Sequence, residues 1–143
     1  MWHKVVKLFT KKTKPNGHVT RKKIMVVDDT EIDRRIIQRL LAKANYDLIL
    51  AEDGEKALQL VKTERPDLIL LDCVMPGLSG TEVCQILKKD KEVKNIPVIF
   101  LTGMDTPTYV INCYELGADQ YLTKPINSRE LISQIDTTLK NVI

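Results

Sequence analysis

The 143-residue chain has only two histidines, His3 and His18, both close to the N-terminus. From residue 19 onward no imidazole is available as a general base or metal ligand. Cysteine is also scarce. Cys73, Cys84 and Cys113 are odd in number, far apart, and form no CxxC pair. A disulfide framework or a thiolate zinc site is therefore not expected, and the three thiols read as reduced and structural. No apolar run approaches the roughly 20 residues of a membrane span. Lysines interrupt any signal-like stretch at the start, so a cytoplasmic protein is expected.

What the chain does contain is enough for one domain with a real core: 43% of its residues are hydrophobic. The net charge of +3 conceals an asymmetry. Residues 1–23 carry eight Lys or Arg and no acid, and the rest carries fourteen basic against nineteen acidic residues. A basic N-terminal extension and linker, residues 1–22, thus precedes an acidic domain at 23–143. The pI of the whole chain says little about nucleic acid.

Beyond the extension, strand-like apolar runs alternate with helical periods. KIMVV (Lys23–Val27), DLILA (Asp47–Ala51), LILLD, VIFLT (Val98–Thr102) and QYLTKP read as five strands. Ile32, Ile36, Leu40 and Ala44, widened by Ile37 and Leu41, form the stripe of a first helix. Ala57, Leu58 and Val61 mark a second helix, and Val83, Ile86 and Leu87 a third. A fourth carries Tyr109, Val110, Cys113 and Leu116 and stops at Gly117. Ser128 caps a last helix bearing Leu131, Ile132, Ile135 and Leu139. Near-continuous aliphatic strands need cover on both faces, which predicts a parallel sheet in a doubly wound α/β sandwich.

Polar residues stand at the carboxyl ends of these strands: Asp28-Asp29, Asp72, Thr102 and Lys124-Pro125. In an open parallel sheet those ends share one rim, where ligands bind. Taken singly, each has a plain explanation: an acid closing a turn, a β-branched residue ending a strand, a solvated lysine. Taken together, three mutually repelling carboxylates call for a hard divalent cation, and all-oxygen ligation points to Mg²⁺. A hydroxyl and an ammonium on the same rim suit the oxygens of a tetrahedral anion. Acids, metal, hydroxyl and lysine make a phosphoryl-transfer site. A carboxylate leaving the core at Asp72 then has a purpose, because its oxygen can attack phosphorus.

The stretches VVDD, LLDCVMPGLSG, VIFLTG and LGADQYLTKP, in this order and spacing from Lys23 to about Val142, resemble the receiver domain of two-component response regulators. The resemblance implies a flavodoxin-like (βα)5 fold of strand order 2-1-3-4-5, with Asp72 as phosphoacceptor. It implies that Asp29 and Asp72 ligate Mg²⁺ with the backbone carbonyl of Val74, that Asp28 acts mainly through water, and that Thr102 and Lys124 contact the phosphoryl group. Tyr121 takes the position of a switch aromatic, although a plain core aromatic is an alternative for it. Lys124-Pro125 matches a pair usually joined by a cis peptide.

The function expected is a phosphorylation-activated switch. A sensor histidine kinase or phosphotransfer protein donates to Asp72, and the modified protein binds an effector through the face at residues 107–141. A stand-alone receiver, with no DNA-binding domain and no enzymatic activity beyond slow self-dephosphorylation, is expected. A shuttle or phosphate sink would use the same site. An aspartyl-phosphate phosphatase needs a proton donor two residues after its nucleophile, where this chain has Val74. Val74 and Met104 are expected at the mouth of the site. In the extension, Trp2, Val5, Val6 and Phe9 could line one side of a short helix, opposite Lys4, Lys7 and Lys11. Such a helix would touch anionic lipid or a partner, whereas a solvated arm would do neither. Nucleic-acid binding would rest on this basic segment alone.

Overall fold

The computed structural model describes residues 21–142 and the backbone of 4–7. Eleven elements follow one another: β1 (Lys4–Lys7), β2 (Lys22–Val27), α1 (Glu31–Leu40), β3 (Tyr46–Ala51), α2 (Gly54–Glu64), β4 (Leu68–Leu71), α3 (Gly80–Lys89), β5 (Val98–Thr102), α4 (Pro107–Glu115), β6 (Gln120–Thr123) and α5 (Ser128–Lys140). The sheet order is β1-β3-β2-β4-β5-β6. β2 through β6 are parallel, and counted among themselves they give the expected order 2-1-3-4-5. β1 is an addition. It pairs antiparallel with β3, from Lys4 opposite Leu50 to Lys7 opposite Asp47. This corrects both readings of the extension at Lys4–Lys7, which is neither a helix nor an unstructured arm. Trp2 and Phe9 lie outside the described residues.

Side-chain alternation along the strands builds two cores. Met25, Val27, Ile69, Leu71 and Phe100 point to one face, against Leu60 and Val61 of α2, Val83 and Leu87 of α3, and Cys113 of α4. Ile24, Val26, Leu68, Leu70 and Leu101 point to the other, against Ile37, Leu41, Leu131 and Ile135 from the α1 and α5 side. All four residues of β4 are buried, which only a central strand covered on both faces requires. Each such aliphatic side chain contributes roughly 1.5–3 kcal/mol on burial, so the two cores fix where the strand ends converge.

Two helix details differ from the sequence reading. α1 buries Ile37, and its C-cap Leu41 is buried too, while Ile32 is 72% exposed and Ile36 half exposed. α5 is capped by Asn127, whose side chain accepts from the Glu130 N–H. Ser128 instead opens the helix and donates its hydroxyl to the Leu40 carbonyl at 2.6 Å, tying α5 to the end of α1. The predicted stop after α4 is present, with Gly117 at φ +106°. The three cysteines are free and buried, as read.

Candidate functional site: an acidic pocket with one lysine

Strands β2, β4, β5 and β6 deliver their last residues to the same rim. Asp28 follows β2 and is 1% exposed, Asp72 follows β4 and is 8% exposed, and Thr102 ends β5 and is buried. One carboxylate oxygen each from Asp28, Asp29 and Asp72 lies within 4.8 Å of the others. The Lys124 ammonium donates to Asp28 Oδ2 at 2.8 Å and to Asp33 Oδ2 at 2.9 Å, and stands 3.9 Å from Asp72 Oδ2. The pocket therefore brings together residues nearly a hundred positions apart. Lys124-Pro125 is a cis peptide.

Local structure explains how each group is held. Asp28 Oδ1 accepts from the Thr30 N–H and hydroxyl, so its carboxylate is locked into the turn that starts α1. Thr30 in turn caps that helix by accepting from the Asp33 N–H. Asp72 is gripped from the far side by α3. The Gly80 N–H donates to the Cys73 carbonyl at 2.8 Å, and a Cβ on Gly80 would lie 1.8 Å from the Asp72 carbonyl oxygen. Gly77 at φ +75° makes the turn that allows this approach. The Ser79–Glu82 capping box completes the start of α3.

Electrostatics follow from burial and neighbours. Loss of solvation raises the Asp72 carboxyl above its ordinary value; nearby Lys124 opposes that rise and Asp28 adds to it, while the Thr102 hydroxyl favours the ionised form. Burial works against the charge of Lys124, but hydrogen bonds to Asp28 and Asp33 hold its pKa above the ordinary value. The Lys124 hydrogen bond lowers Asp33. Burial pushes the Cys73 thiol up to about 12, so it supplies no thiolate to the site.

Of the other predicted residues, Val74 and Met104 are both exposed, at 57% and 39%. Tyr121 is partly buried, its ring 6.3 Å from Phe100 and its hydroxyl donating to the Met104 carbonyl. Asp33 went unread in the sequence. An acid three residues after a capping threonine looks like an ordinary first-turn residue, and its bond to Lys124 spans 91 positions.

Residues 24–136 match the family described as the response regulator receiver domain. The chain belongs to that family. It is thus a receiver of the two-component type, and its relatives agree. It is 43% identical over 119 residues to the Bacillus subtilis alkaline phosphatase synthesis transcriptional regulatory protein PhoP, covering 83% of this chain and 49% of PhoP. Among solved structures, the Francisella response regulator 1452 receiver domain matches with a TM-score of 0.79 and 33% identity, covering 86% of this chain and all of that one. The Mn²⁺-bound response regulator Rcp1 matches with a TM-score of 0.71 and 32% identity, over 85% of this receiver and 97% of Rcp1. The receiver spans about half the length of the curated relatives it matches, which are transcriptional regulators. The expectation of a stand-alone protein without a DNA-binding domain draws no support from them. Among the described residues, no helix is long and apolar enough to cross a membrane.

Proposed function

We propose that this receiver is a phosphorylation-activated switch in which Asp72 accepts a phosphoryl group from the phosphohistidine of a sensor kinase or phosphotransfer protein. The observation that carries the reading is the convergence of Asp28, Asp29 and Asp72 with Lys124 on one rim. An Asp72 oxygen attacks phosphorus, the P–N bond to the donor imidazole breaks, and the imidazole leaves with the bonding electron pair. Lys124 pairs with the incoming phosphoryl oxygens, and the Thr102 hydroxyl donates to them.

The donor set fits Mg²⁺: three carboxylates with no nitrogen or sulfur ligand among them. Asp28, Asp29 and Asp72 would hold the ion, with the Val74 carbonyl as a further ligand. When bound, Mg²⁺ supplies charge neutralisation between the carboxylates and the phosphoryl oxygens. The Mn²⁺-bound state of Rcp1 supports a divalent ion here. The protein is a phosphoacceptor rather than a phosphatase, since Val74 stands where a proton donor would have to be. Output follows from the coupling of Thr102 to Tyr121 through the Met104 loop, which reshapes residues 107–141 for an effector.

Incubation with a small acyl phosphate and Mg²⁺ tests this by intact mass. A gain of one phosphoryl group is expected, and it should vanish in Asp72→Ala and in chelator. Phosphorylation that persists in Asp72→Ala would overturn the assignment.

A further inference from the structure

Lys124 has three anionic neighbours, and they differ in kind. Asp28 and Asp72 belong to the acidic cluster. Asp33, on the first turn of α1, does not. Its carboxylate is nonetheless among the closest to the ammonium, at 2.9 Å against 3.9 Å for Asp72. The Asp33 and Lys124 side chains are 35% and 25% exposed. One side of the pair is walled by an apolar groove of about 340 Å³ that includes Ile36, Leu101 and Ile126. Both side chains are thus mostly shielded from solvent, which makes the pair stronger than a fully solvated ion pair.

We propose that Asp33 is a positioning residue that holds Lys124 back from Asp72 in the unphosphorylated receiver, and so sets how readily Asp72 accepts a phosphoryl group. The inference rests on the reading of Asp72 as phosphoacceptor. The physical basis is a contest for one ammonium. To pair with the incoming phosphoryl oxygens, Lys124 must give up hydrogen bonds it already makes. Asp28 lies within the cluster, and Lys124 can keep contact with it while facing the phosphoryl group. Asp33 pulls from the first turn of α1, outside that cluster. Its retention is a barrier term present before transfer and weakened at the transition state, where the phosphoryl oxygens compete for the same protons.

The transfer used as the test is balanced. An Asp72 oxygen forms a bond to the phosphorus of acetyl phosphate, the P–O bond to the acetyl group breaks, and acetate leaves as the anion. The initial rate is followed by intact mass at fixed Mg²⁺ in the full chain. Asp33→Asn keeps shape and removes charge, and it should raise the rate about two- to fivefold, the range for loss of one partly exposed ion pair. Asp33→Glu restores a carboxylate and should return the rate toward that of the unmodified protein. Glu31→Gln removes a charge from the same helical turn, but Glu31 pairs with Arg35 at 2.7 Å, not with Lys124. It should leave the rate unchanged. The inference is overturned if Asp33→Asn is no faster than the parent, if Asp33→Glu is as fast as Asp33→Asn, or if Glu31→Gln gives the same gain. A parent protein that takes no phosphoryl group at all would remove the phosphoacceptor reading and this inference with it, which separates the two failures.

Discussion

At the scale of single residues, Asp72 shows how a buried acid burdens its own fold. Its carboxyl is raised by lost solvation, and the nearby Asp28 adds to the effect. For an acid whose folded-state pKa exceeds its unfolded value, the native protein holds the proton more tightly than the unfolded chain does. Stability contributed by the protonated form therefore declines as pH rises through the window from the ordinary 3.8 to the raised value, and the full penalty applies above it. In metal-free buffer at pH 7, Asp72→Asn is expected to raise the melting temperature by roughly 2–5 °C. That gain should shrink to nothing below the ordinary carboxylate range; thermal scans across pH 3–8 would check both limbs, and a destabilised Asn variant at pH 7 would contradict the account. Asp72, Thr102 and Lys124 were legible in the sequence because each sits at a strand end and strand ends in a parallel sheet must converge. Asp33 was not, because its bond to Lys124 depends on where the first turn of α1 is packed, and residue spacing carries no such information.

At the scale of elements, the start of α3 controls the position of Asp72. Gly80 lets the helix press its first N–H against the Cys73 carbonyl, while the Asp72 carbonyl occupies the space a side chain would need. Gly80→Ala would place Cβ 1.8 Å from that oxygen. Neither partner is the flexible tip of a side chain, so the helix or the β4 end must move. A loss of about 3 kcal/mol in urea unfolding is expected, the upper end for overpacking, together with slower phosphorylation as Asp72 shifts relative to Lys124. An Ala variant with unchanged midpoint would show that α3 is not clamped there. The close approach of Gly80 to another segment is a tertiary fact that residue spacing does not carry. The same limit applies to α1. Ile32 and Ile36 are spaced like Ile37 and Leu41, and only contact with α5 and the sheet decides that the second pair is buried. The α5 cap moved by one residue for a related reason: Asn127 and Ser128 are both competent caps, and Ser128 is engaged with Leu40 instead.

At the scale of the whole molecule, the parallel five-stranded sheet was legible because its strands are too aliphatic to face water on either side. β1 was not, because Lys4–Lys7 alternates charge and apolar residues no more clearly than a short amphipathic helix would. Its pairing with β3 covers an edge that would otherwise expose unpaired N–H and C=O groups. How much this adds to stability follows from opposing terms. Ordering four residues costs roughly 1–2 kcal/mol each in backbone entropy. The hydrogen bonds of the pairing return only about 0.5–1.5 kcal/mol apiece, so any net gain from the edge strand must be small. The five parallel strands, by contrast, carry both cores and the whole acidic rim. Removal of residues 1–20 is therefore expected to lower unfolding stability by no more than about 1 kcal/mol, within the balance of those two terms. Acyl-phosphate labelling of Asp72 should proceed at the rate of the full chain. Denaturant titration and intact mass on the truncated protein would measure the two effects separately. A truncated chain that fails to fold, or folds but no longer accepts a phosphoryl group, would mean that β1 supports the pocket through β3 rather than merely sheltering the edge of the sheet.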